Sequence, residues 1–169
     1  MTDQKNLIRC LGCGALVPGI DGPTHEYMLS APGCWATFNE VAVQQYEIAS
    51  FDLRRMAVDA YAVQHPGTTD RRAVQSVAVH LISLYFVLER GLTPTEATDK
   101  MRHALTDKSR FVWLPPPPSM GKITVVDVVN VTDPAEHEAT VKRWARSTWE
   151  AWSAHHDQIR TWSKYVGAY

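Results

Sequence analysis

The sequence has no surplus of either charge. Its 17 Lys and Arg stand against 18 Asp and Glu, a formal net charge of −1, and neither sign forms a long run. A surface that tracks phosphates needs clustered positive charge, so nucleic acid is not expected as a partner. Long apolar runs are also missing. None reaches the roughly 18 residues of a membrane span, and the opening MTDQKNLIRC lacks the apolar core of a signal peptide. The expectation is a soluble, cytoplasmic protein with no membrane partner. Cysteine is scarce: there are three, an odd number, and two of them sit in one C-x-x-C. That pattern speaks for a metal rather than for a disulfide framework. Internal repeats and domain boundaries are absent, and 169 residues fit one domain, 1–169. No motif specifies a substrate or a protein or small-molecule partner, and a homo-oligomer stays open.

What the chain does have is helical periodicity. Ala73–Leu88, AVQSVAVHLISLYFVL, is apolar nearly all round and reads as the central post of a helical bundle. Before it come helices from Cys34 to about Glu47 and from Leu53 to His65, the second stopped by Pro66-Gly67. After it, Thr93-Pro94-Thr95-Glu96 reads as a capping box opening a helix to about Leu105. The segment 107–122, with four successive prolines, must be an extended connection. Residues 124–131 have strand-like β-branching, yet Thr124 and Asp127 have N-cap spacing, and a lone strand would lack a partner; a short helix is favoured. From Asp133-Pro134 nothing breaks a last helix until Gly167. Its stripe of His137, Val141, Trp144, Thr148, Trp152, His155, Ile159, Trp162 and Val166 should face inward, with Trp149 off it, as core rather than as a ligand wall. The fold expected is a mainly all-α bundle over 35–166, preceded by an irregular N-terminal metal-binding loop over 10–34.

That loop carries the sharpest chemical signal. It is dense in glycine and proline and has no periodicity, so something other than a core must hold it. Cys10 and Cys13 can share one Zn²⁺, with the glycines between and after them letting backbone N–H groups turn towards the sulfurs. A structural zinc needs four ligands. His25 and Cys34 are the nearest downstream candidates, giving C-x2-C-x11-H-x8-C. Cys34 falls at a helix start, where the helix dipole favours a thiolate.

A second constellation is Asp59, His65 and His80 on two antiparallel helices. Asp59 could orient His80, as a general base or a metal ligand requires, or the two could satisfy each other as a buried polar pair. Two functions are therefore carried forward. One is a binding or regulatory module with a structural zinc site. The alternative is a metal- or histidine-dependent, hydrolase-like enzyme using His65 and His80 with Asp59.

The motifs CxxCGA, GPTHEYM, APGCW, VDAYAVQHPG, QSVAVHL and WARSTWEAWSAHH together resemble a family of small bacterial proteins of unknown function, over nearly the full length. The resemblance implies no activity. It draws attention to Cys10, Cys13, His25, Cys34, Asp59, His65 and His80, and also to His137, Trp144, Trp152 and His155.

Overall fold

A computed structural model describes residues 6–104 and 108–166, with only the backbone of His103 and Ala104. The expected helix end at Leu105 and the stop at Gly167 lie outside the described residues. A hairpin of β1 (Leu7–Arg9) and β2 (Leu16–Pro18) comes first, antiparallel with Ile8 opposite Val17. Seven helices follow among the described residues. They are α1 (Pro32–Ile48), α2 (Phe51–Gln64), α3 (Arg71–Leu88), α4 (Pro94–Ala104), α5 (Val125–Val129), α6 (Pro134–Ala151) and α7 (His156–Lys164). The protein is thus mainly helical. No helix among the described residues is long and apolar enough to cross a membrane.

The helix starts follow their caps. Ser50 accepts the Leu53 N–H, Asp70 the Arg72 N–H and Asp133 the Glu136 N–H. Thr93 and Glu96 bond reciprocally as a capping box at α4. At α5 the Asp127 carboxylate accepts the Thr124 N–H at 2.8 Å, and the strand-like residues 125–129 form a short helix.

The post of the bundle is α2 rather than α3. Every residue from Asp59 to Pro66 is buried, and the helix packs against α1, α3, α4 and α6. Ala57, Ala60 and Ala62 let those neighbours come close, whereas α3 leaves Gln75, Ser76, Val79 and His80 half-buried. The polar hub is Gln64. Fully buried, it donates to the carbonyls of Met120 and Ile123 and accepts the Trp144 indole N–H at 2.8 Å. One side chain so fixes the proline-rich strap and α6 to α2, leaving no amide atom unpaired.

The last helix is not continuous. It breaks after Ala151: Trp152 has φ −86° and ψ 13°, a 3₁₀ turn spans Ser153–His155, and α7 sets off anew. No glycine or proline marks the break, which is why the periodicity reads straight through it. Tertiary bonds make it instead. The Trp152 indole donates to the Val63 carbonyl at 3.0 Å, and His156 donates to the Trp149 carbonyl that an unbroken helix would have used itself. Redirected, α7 packs on α3, and Arg160 grips Glu89. Trp144, Trp152 and Trp162 are core as expected; Trp149, expected off the stripe, is also buried, with His156 stacked on it at 3.9 Å.

Candidate metal centre

The C-x-x-C lies in the turn of the hairpin. Cys10 donates its N–H to the Ala15 carbonyl, Gly14 donates back to Cys10, and Gly14 has φ +77°, a conformation that suits glycine. Cys34 enters from the first turn of α1, and His65 from the residue that closes α2. The hairpin can reach α1 because Gly33 lies flat against Pro18, where any Cβ would overlap the Pro18 carbonyl.

Cys10, Cys13, Cys34 and His65 form one buried group, with all ligand atoms within 4.8 Å of one another. The Cys13 and Cys34 sulfurs are 3.8 Å apart, and the Cys34 sulfur lies 3.3 Å from His65 Nε2. A zinc tetrahedron with Zn–S of about 2.3 Å and Zn–N of about 2.0 Å has edges of roughly 3.5–3.8 Å. The Cys13–Cys34 and Cys34–His65 edges already have nearly those dimensions. None of the three cysteines is in a disulfide.

The surroundings fix the ligand atoms. His65 Nδ1 is 2.7 Å from the Tyr61 carbonyl, which can only accept, so Nδ1 carries a proton and Nε2 is the nitrogen that faces the sulfurs. Ala31 N–H donates to Cys10 Sγ at 3.4 Å and Tyr61 O–H to Cys34 Sγ at 3.6 Å. Without an ion the sulfurs share their charge unevenly. Hydrogen bonds from Cys13 and Cys34 lower the Cys10 pKa, while bonding to Cys10 and Cys13, together with burial, raises that of Cys34. Burial opposes a charge on His65, but its bonds to Cys10 and Cys13 prevail and hold it up to about 9. Burial raises the Tyr61 pKa, so its hydroxyl stays a donor. A divalent cation removes this conflict, because it lets every thiol ionise beside it.

His25, the expected third ligand, is outside the group. Its Nδ1 accepts the Tyr27 N–H at 3.1 Å and its ring meets Trp35 edge-on at 5.4 Å. The spacing is therefore C-x2-C-x20-C-x30-H. His65 in turn does not join Asp59 and His80, which pair directly at 2.7 Å. Tyr61, which sequence reasoning missed, supplies a hydroxyl and a carbonyl to the group, and Gly12 leaves the space the His65 ring occupies, where a Cβ would overlap it. That close approach, rather than N–H bonds to sulfur, is what Gly12 provides. The other stripe histidines are satisfied structurally: His137 donates to Val131 and accepts from Gln45, and His155 donates to the Pro115 carbonyl.

Residues 8–153 match the model of a family of unknown function, DUF5946, and the chain belongs to that family. No curated protein and no solved structure matches it.

Proposed function

We propose that this family member holds a structural Zn²⁺ on Cys10, Cys13, Cys34 and His65 and works as a binding or regulatory module. The observation that supports this is the closed ligand set: three thiols and one imidazole with their ligand atoms within 4.8 Å of one another, each residue at most 8% exposed. Four protein ligands leave a metal no open position for water or substrate, so its contribution is to folding rather than to catalysis. Three unpaired, buried thiols also suit a reducing compartment, in line with a cytoplasmic protein. The hydrolase-like alternative would have to proceed without His65, which the cysteines engage.

Metal analysis of the purified chain tests the reading. About one zinc per chain is expected, lost in Cys34→Ser and in His65→Ala but kept in His25→Ala. A well-folded, metal-free protein, or zinc that leaves with His25, would overturn it.

A further inference from the structure

We propose that the cleft between α1, α2 and α3 binds a small planar molecule that offers one O–H or N–H donor to His80. This inference rests on the protein being a binding module, and it names what the module takes up; it does not depend on the zinc.

The first observation is a histidine with one nitrogen to spare. His80 Nδ1 lies 2.7 Å from Asp59 Oδ1, and the Ser83 hydroxyl donates to Asp59 Oδ2 at 2.6 Å. Asp59 is 1% exposed, and both of its oxygens are engaged. With Nδ1–H held by the carboxylate, neutral His80 has its lone pair on Nε2. No described residue bonds that atom. His65 and His137, by contrast, use both ring nitrogens inside the protein. Orienting an imidazole with a buried carboxylate and a serine, and then leaving its far nitrogen open, suits an acceptor for something from outside.

The second observation is the cleft beside this histidine. The side chain of His80 is 16% exposed, and the residue lines a cleft of about 400 Å³ with His25, Tyr27, Trp35, Phe38 and Tyr61. That volume suits a small organic molecule. Phe38 and Tyr61 are buried and stack at 4.1 Å behind Trp35, whereas the rings of His25, Tyr27 and Trp35 are only half-buried, so these three offer the ring surface against which a planar ligand can lie. No Lys or Arg lines the cleft, so an anionic group would find no countercharge there. A lining that is aromatic and apolar apart from the histidines, Ser76 and the tyrosine hydroxyls, with His80 as its oriented acceptor, suits a neutral ring bearing a donor, as in a phenol or an indole.

Phenol, toluene and benzoate are suitable probes, being of similar size and differing in the donor and the charge. The full-length, metal-replete protein labelled with ¹⁵N-histidine would be titrated with each. Phenol should bind about tenfold more tightly than toluene, shift the His80 Nε2 resonance, and resist competition by benzoate. In His80→Asn the amide keeps the bond to Asp59 but has nothing at the Nε2 position, and the preference for phenol should vanish. Equal affinity for phenol and toluene, a preference that survives His80→Asn, or an unmoved His80 Nε2 would overturn the proposal. Should His80→Asn fail to fold, the wild-type Nε2 resonance alone decides. Zinc content measured on the same samples separates the two readings. Phenol preference in zinc-poor protein would sink the zinc centre alone, and full zinc without preference would sink this site alone.

Discussion

Residues 6–31 and the helix α2 are held by different means. Of the 26 residues in the first stretch only Cys10, Cys13, Val17 and Ala31 are buried, two of them proposed ligands; α2 buries nine of its 14. One segment has almost no apolar area to trade against the entropy of ordering its chain, and the other has it in abundance. The contrast teaches where the proposed metal would act. His65 belongs to both regions, since it closes α2 and reaches the hairpin, so it joins a segment without a core to the element that has the most.

Removing the ion should break the comparison most visibly. Structural zinc sites in small domains contribute about 10–16 kcal/mol of apparent binding, far beyond what a hairpin of three residues a side can replace. With the metal chelated, or in Cys10→Ser, amide exchange over residues 6–31 should rise to nearly unprotected rates while α2 and α6 stay slow. Equal protection of the hairpin with and without metal would show that it holds itself.

The next largest effect belongs to the core. Trp152 is fully buried and its indole bonds the Val63 carbonyl, so Trp152→Ala should cost about 3–5 kcal/mol and leave the protein marginal. Trp149→Ala should cost only slightly less, since Trp149 is 4% exposed and carries the His156 ring. Neither change should alter the zinc content. Thermal melts of the two variants, read beside their metal analysis, check both statements; a Trp152→Ala protein that melts like the parent would contradict the core role.

Between these extremes lies the Asp59–His80 pair. In His80→Ala the buried carboxylate keeps only Ser83, a loss of about 1–3 kcal/mol for a polar group left partly unsatisfied. Chemical denaturation measures it. A change within error would mean that water from the cleft takes over the vacated position.

The same contrast explains what could be read in advance. Helices α1 to α4 show themselves through apolar spacing and caps, and α5 through Thr124 and Asp127, because those signals are local. The hairpin has three residues a side, too few for an alternation to register, and its stability comes from contacts far along the chain. The break at Trp152 has no local mark because distant bonds to Val63 and within the Trp149–His156 stack produce it. At the site, Cys10, Cys13 and Cys34 could be found by type and spacing. His65 reads with Asp59 and His80 because it lies on the same hairpin of helices, 31 residues beyond Cys34. Its position just after the end of α2, before Pro66-Gly67, is the one local hint that it turns away from the helix. His25, nearer in sequence, satisfies itself on Tyr27.

The smallest expected effect lies farthest from the metal, where α7 is tied back to α3. Arg160 donates to both Glu89 oxygens, at 2.9 and 3.1 Å, and also to Asp157. The hydrogen bond from Arg160 lowers the Glu89 pKa below that of a free carboxylate. A group depressed in the folded state contributes stability above its unfolded pKa, and loses it as pH falls through the lower folded value. Both partners are partly exposed, so water and salt screen the pair and its contribution is slight. Glu89→Gln should therefore lower the melting temperature a little at pH 7, and the gap to the parent should close in acid once the parent's Glu89 is protonated. Raising salt at pH 7 should narrow the same gap. A gap that neither acid nor salt closes would mean that α7 is held through the His156–Trp149 stack and the buried Ile159 and Trp162, with Arg160 only resting on Glu89.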